Sequence, residues 1–166
     1  GVGGGNYPDE NLSDEFYWAE AELFITTGKE EYKEYLLSSK DFAAADAFDW
    51  GHVAPLGTIS LLSHETSLSA EQKAALQRAI IAYADELLKV QEQDGYKVLI
   101  DEDYPWGSNG LIMNNMLLVS MAYKLSGEAR YLDSVRLSMD YILGRNALNK
   151  SFVAGYGAYA MHHPHH

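Results

Sequence analysis

Apolar positions along this chain recur at helical steps, and nowhere do they alternate long enough to found a sheet. Phe16, Ala19, Leu23 and Phe24 fall at three- and four-residue intervals between Ser13-Asp14-Glu15 and Gly28. Ser13 can cap a helix, the two carboxylates suit its positive end, and the glycine supplies a left-handed stop, so a first helix is predicted over about residues 14–27. A short helix over about 30–37 follows, and residues 49–62 read as a helix interrupted near Pro55. Ser69 and Gln72 have the spacing of a capping box ahead of a long helix to about Gln93, with Leu76, Ile80, Tyr83, Ala84, Leu87 and Val90 on one stripe. A charged and aromatic loop over 97–108 precedes helices over about 109–125 and 130–143. From Arg145 on the helical period stops, leaving Ala147, Leu148, Phe152 and Val153 as the apolar candidates for burial in a long terminal loop.

Part of this pattern is used twice. Gly28 stands four residues before Tyr32, and Gly127 four before Tyr131, each glycine between two helical stretches. The glycine turns the chain between antiparallel helices and the tyrosine packs back across the pair. Repeated helix pairs predict an all-α toroid or solenoid.

Charge narrows the partners. Acidic residues outnumber basic ones 24 to 12, and a surface with a formal charge of −12 repels nucleic acid and anionic membranes. No run approaches the roughly 20 apolar residues of a membrane-spanning helix. The absence of cysteine excludes disulfides, thiolate catalysis and zinc–thiolate sites. The chain starts at Gly1 without a methionine or a basic, apolar leader, and reads as an excised segment.

The 12 tyrosines and 3 tryptophans are a surplus that points to chemistry. Trp18, in mid-helix, reads as core. Tyr7, Trp50, Tyr104 and Trp106 instead stand in loops or at helix starts beside Gly, Pro, Asn or Asp. Flat rings among amide and carboxyl side chains suit a sugar cleft, because the C–H face of a pyranose stacks on the ring while its hydroxyls take hydrogen bonds. The terminal His162-His163-Pro164-His165-His166 is poorly spaced for a shared metal and is broken by proline, unlike a purification tag. The acidic runs Asp9-Glu10 and Asp101-Glu102-Asp103 are most simply solvated loops.

Several stretches together resemble glycoside hydrolase family 9, the inverting cellulases and related β-glucanases. They are Gly3-Gly4-Gly5-Asn6-Tyr7, Ser13-Asp14-Glu15-Phe16-Tyr17-Trp18-Ala19, Tyr104-Pro105-Trp106-Gly107-Ser108-Asn109, Asp140-Tyr141-Ile142-Leu143-Gly144-Arg145-Asn146, and Gly155-Tyr156-Gly157 with Pro164-His165-His166. The resemblance spans essentially the whole chain in order, and its last block is the most specific. It implies an (α/α)6 toroid built from helix hairpins, of which residues 1–166 are one segment of the catalytic domain, with the acid and base carboxyls supplied by flanking sequence. It also implies cellulose or cello-oligosaccharides as substrate, extracellular localisation, and attached carbohydrate-binding or docking modules outside this chain. It places His165 in the active site, and with it Tyr7, Trp50, Trp106 and His163 become substrate-binding candidates. Asp14 and Glu15 resemble a structural calcium seat of some members, with Asp49 as a third ligand; their simpler role is to complement a helix N-terminus. Two other readings compete: a non-catalytic carbohydrate-binding helical module, and a plain helical scaffold that would bury Trp50 and Trp106.

Overall fold

The computed structural model describes residues 11–101 and 104–163. Among them lie six α-helices and no strand: α1 (Ser13–Thr27), α2 (Glu30–Ser38), α3 (Ala54–Ser63), α4 (Ala70–Gln93), α5 (Ser108–Ser126) and α6 (Ala129–Leu143). The all-α expectation therefore holds for the described residues. The chain divides into two compact units, Gly1–Tyr83 and Ala84–His166, and the division falls within α4.

In the first unit α1 packs against both α2 and α3. Gly28 takes φ +68° and donates its N–H to the Phe24 carbonyl at 2.8 Å, which turns the chain into α2. The core contains Tyr17, Ala21, Phe24, Leu36, Ala54, Leu61, Leu68 and Leu76. The buried stripe of α1 is thus Tyr17-Ala21-Phe24, whereas Phe16 and Leu23, predicted to face the core, are 55% and 41% exposed. Tyr17 settles the phase. Its ring lies against Gly57 of α3, where an added Cβ would stand 2.8 Å from Tyr17 Cε1 and 3.2 Å from the Trp18 Cα. The absent side chain lets the two helices approach closely. The Tyr17 hydroxyl lies 3.2 Å from Thr58 Oγ1 and accepts the Ala43 N–H at 3.4 Å, and burial pushes its pKa up.

Two predicted helix starts change in detail. Ser13 does not cap α1: Leu12 occupies that place without a side-chain bond, and the Ser13 hydroxyl donates to Asn11 Oδ1 at 3.0 Å. Pro55 does not interrupt a helix but sits in the first turn of α3, where a missing N–H removes no helical bond. Residues 49–53 form a separate turn before it. The box at Ser69 is as expected: Ser69 N–H donates to Gln72 Oε1 at 2.8 Å, and Gln72 N–H donates to Ser69 Oγ at 3.2 Å.

In the second unit α5 packs on α6 through the turn at Gly127, φ +73°. The two hairpins are not equal in detail. Tyr32 is only partly buried, whereas Tyr131 is fully buried and donates its hydroxyl to Asp85 Oδ1 at 2.7 Å. Burial first, and then this carboxylate, push the Tyr131 pKa up to about 12.

The buried line of α4 continues past Ala84 and Leu87 to a polar residue, Gln91. Its Nε2 lies 3.0 Å from the Lys97 carbonyl, 2.9 Å from the Ser134 carbonyl and 3.1 Å from Ser138 Oγ. Ser138 Oγ accepts the Leu99 N–H at 3.1 Å, and Asn115 Nδ2 donates to the Leu99 carbonyl at 2.8 Å. A loop that cannot form a ladder satisfies its buried backbone through side chains instead. Residues 97–99 are thereby fixed between α5 and α6.

The terminal loop is also held by polar groups. Asn146 Nδ2 donates to the carbonyls of Tyr141 and Lys150, both at 2.8 Å, and its Oδ1 accepts the Leu148 N–H at 3.1 Å and the Lys150 N–H at 3.3 Å. Ser151 N–H donates to the Tyr159 carbonyl and Met161 N–H to the Ser151 carbonyl, each at 2.9 Å. The apolar candidates Leu148 and Val153 are exposed, and the buried positions are Asn146, Ser151 and Ala160.

Candidate functional site

Each unit displays one tryptophan on a constrained turn. In the first, Trp50 and Gly51 form the tip of a tight turn closed by Asp49 N–H to the His52 carbonyl at 3.1 Å and His52 N–H to the Asp49 carbonyl at 3.4 Å. Asp49 Oδ1 also takes the Gly51 N–H at 2.8 Å. The turn is tied to α1 by the fully buried Asp14, whose Oδ2 accepts the Val53 N–H at 2.7 Å. His52 reaches the same oxygen with Nδ1 at 3.7 Å and Asp46 Oδ1 with Nε2 at 3.0 Å. Burial alone would raise the Asp14 pKa. Hydrogen bonds from the Val53 and Asp14 amides, with the Glu15 side chain and His52, outweigh it, so the carboxyl lies below the usual carboxylate range.

Asp14 and Glu15 lie in the first turn of α1, where they complement the helix N-terminus as expected, and Asp14 in addition holds the Val53 amide. Asp49 Oδ1 turns back on its own loop. Among the described residues no group of three His, Cys, Asp or Glu side chains could hold a metal ion. A cation here would have to rest on Asp14 and Glu15 with backbone oxygens.

In the second unit Trp106 stands at the entry to α5. Ser108 N–H donates to the Pro105 carbonyl at 3.0 Å and Gly110 N–H to the Gly107 carbonyl at 2.8 Å. Gly107, at φ +82°, supplies the left-handed step between the indole and the helix, a conformation that costs a side chain dearly. The turn presents the indole to solvent. Trp106 is 74% exposed and Trp50 55%, so neither is a core ring, and the plain-scaffold reading fails at both. Trp18 is partly buried rather than core, with its Nε1–H donated to Glu22 Oε1 at 3.0 Å.

Beside Trp106, Tyr104 leans on an aromatic group. Its ring lies 6.4 Å from Tyr141, which lies 6.0 Å from Tyr96 and 5.7 Å from Phe152. Burial, then the nearby Asp94 and Tyr141, push the Tyr104 pKa up to about 12, so its hydroxyl keeps its proton at any physiological pH.

A pocket of about 530 Å³ is lined by Leu143, Gly144, Arg145, Asn149, Ser151 and Tyr159 among others. The pinned loop that lines it leads into His162 and His163, whose rings lie 6.4 Å apart. His163 is exposed, at φ +55°. Tyr7 and His165 lie outside the described residues. Sequence reasoning missed Gln91, Asn146 and Ser151 as organisers of these loops. Only Gln91 left a signal, as a polar residue in phase with the apolar stripe of α4.

The model of glycosyl hydrolase family 9 matches residues 1–166. The chain belongs to this family. The family 9 chain is 39% identical, over 99% of its own length and 21% of the relative's, to a cellulose 1,4-beta-cellobiosidase from Acetivibrio thermocellus. It is 38% identical to endoglucanase C from Cellulomonas fimi, over 98% of its own length and 15% of the relative's. A metagenome-derived family 9 endoglucanase superimposes with a TM-score of 0.90 at 31% identity, over 99% of this chain and 30% of that one. A family 9 structure from Bacteroides ovatus gives 0.87 at 32%, over 99% and 31%. The six helices of the family 9 chain match those of (α/α)6 barrels, the architecture expected from the sequence. The chain spans well under a third of the length of these two curated relatives. No helix among the described residues is long and apolar enough to cross a membrane.

Proposed function

We propose that the protein carrying this chain hydrolyses β-1,4-glucosidic bonds in cellulose or a related β-glucan with inversion of configuration. The observation that carries this reading is the constrained, exposed Trp106 in a chain of glycosyl hydrolase family 9. Trp106 and Trp50 serve as platforms for pyranose rings. Asp14 acts through the Trp50 turn, by holding the Val53 amide. His165 donates a hydrogen bond to a sugar hydroxyl next to the scissile bond and strengthens it in the transition state, with Tyr7 and His163 near the same sugar. A carboxylic acid and a water-activating carboxylate, roughly 6.5 to 9.5 Å apart, come from sequence flanking this segment of the catalytic domain. A polymer that cannot enter a cell places the enzyme outside it.

The test is release of reducing ends from cellohexaose and from cellotriose by the protein that carries this chain. His165→Ala should lower kcat on the order of 100-fold, the usual loss for a group that stabilises a transition state, with melting unchanged. Trp106→Ala should weaken cellohexaose more than cellotriose, and equal loss on both refutes the platform role. Binding without hydrolysis in the wild type would leave a carbohydrate-binding module instead. A calcium seat at Asp14 and Glu15 is a separate proposal, which a melting temperature that falls in EDTA and recovers with calcium would support and an unchanged one would remove.

A further inference from the structure

One side chain joins the end of α6 to the long terminal loop. Asn146 is buried and uses its whole hydrogen-bonding capacity, two donors and two acceptor sites, on backbone groups. Nδ2 holds the Tyr141 carbonyl in the last turn of α6 and the Lys150 carbonyl beyond the turn, while Oδ1 takes the Leu148 and Lys150 amides. Inside this clasp Asn149 takes φ +48°, a left-handed conformation that asparagine tolerates better than most residues.

The Lys150 carbonyl and the Ser151 N–H belong to one planar peptide unit, so the side chain that fixes the first also aims the second. That N–H donates to the Tyr159 carbonyl, and the Ser151 carbonyl accepts the Met161 N–H, each at 2.9 Å, which makes a short parallel bridge between Ser151 and Ala160. Gly157, at φ +97°, lets the chain close over Ser151, where an added Cβ would stand 3.4 Å from the Ser151 Cβ. Lys150 Nζ lies 4.9 Å from the centre of the Tyr159 ring, a cation–π contact across the same bridge.

A path of bonds therefore runs from α6 through Asn146 and the Lys150–Ser151 peptide to Met161. Met161 stands four residues before His165 in the sequence. The loop has a second tether, from Phe152 N–H to the Ile142 carbonyl at 2.9 Å. This tether keeps the loop on α6 without Asn146, but it fixes a point and not the plane of the Lys150–Ser151 peptide.

We propose that Asn146 is a positioning residue for hydrolysis: by orienting the Lys150–Ser151 peptide it sets the bridge to Tyr159 and Met161, and through it the aim of His165. The proposal rests on the reading of His165 given above and adds to it the group that holds the histidine's loop in register.

The experiment is reducing-end release from cellohexaose by the protein that carries this chain. The wild type is compared with Asn146→Ala, Asn146→Asp, His165→Ala and the double variant Asn146→Ala with His165→Ala. The aspartate keeps acceptors for the Leu148 and Lys150 amides and removes both donors, so the two Asn146 variants disturb the peptide plane to different degrees. Each should lower kcat about tenfold, less than loss of the histidine itself, with KM within about twofold of wild type. The double variant should be no slower than His165→Ala alone, because a residue that acts through the histidine has nothing left to position. Losses that multiply in the double variant overturn the proposal, and so does wild-type kcat in both Asn146 variants when His165→Ala is impaired. Failure of both Asn146 variants to fold makes the residue structural only and overturns the positioning role. Wild-type kcat in His165→Ala overturns the reading of His165 and the proposal with it, and no cleavage by the wild type overturns the β-glucan reading beneath both.

Discussion

Replacing Gly57 with alanine sets two effects of opposite sign against each other. In a helix interior alanine is favoured over glycine by about 1 kcal/mol. Propensity alone therefore predicts stabilisation of α3. The new Cβ would, however, stand 2.8 Å from Tyr17 Cε1, 3.0 Å from Tyr17 Cδ1 and 3.2 Å from the Trp18 Cα. Carbon atoms pack best at roughly 3.5 to 4.0 Å. Neither neighbour can yield cheaply, because one is backbone and the other is a fully buried ring held by its hydroxyl to Thr58 and Ala43. Overpacking of this kind costs about 1–3 kcal/mol, and displacing the ring adds about 1 kcal/mol for each hydrogen bond lost. The balance is a net loss of about 2 kcal/mol. Urea unfolding followed by near-ultraviolet circular dichroism gives the difference, and Tyr17→Ala combined with Gly57→Ala should recover the overlap part of it as a coupling between the two sites. An alanine variant more stable than the wild type would refute the close α1–α3 approach.

Other perturbations test the remaining contacts. Gln91→Leu should destabilise by about 2–4 kcal/mol, since it strips buried acceptors of their donor, and urea midpoints check this. Ser134→Ala should be neutral or stabilising in the same assay, because the Ser134 hydroxyl is buried with no hydrogen-bond partner among the described residues. The Tyr131 phenol, raised from 10.0 to about 12, contributes stability that is complete below pH 10 and lost as pH rises through about 12. Tyr131→Phe should remove that contribution to the alkaline slope of urea midpoints measured across this range, and an identical slope in the variant would contradict the raised pKa of the buried phenol. Trp50→Ala should weaken binding of cello-oligosaccharides with little change in melting temperature, as expected for an exposed ring at the tip of a turn.

Periodicity disclosed the helices because burial of an apolar face drives their packing, and that drive is written in residue type. It left the phase of α1 ambiguous. Phe16 and Leu23 are as apolar as Tyr17 and Phe24, and only the fit of Tyr17 against Gly57 selects one face. The loops were harder for a different reason. Gln91 and Asn146 hold them through bonds to backbone carbonyls, and a carbonyl has no residue identity to read. Asp14 was legible as an acidic residue near a helix start, but its bond to the Val53 amide joins residues far apart in sequence. Trp50 and Trp106 were the clearest cases, because a tryptophan followed by glycine outside an apolar stripe has little reason to be core.

The central claim is that this family 9 chain belongs to an inverting β-1,4-glucanase. Proton NMR of the anomeric signals during the first minutes of cellopentaose hydrolysis, by the protein that carries residues 1–166, tests it most directly. The account predicts that the new reducing ends appear first as the α-anomer and then mutarotate. Initial release of the β-anomer, or no cleavage at all, would contradict it.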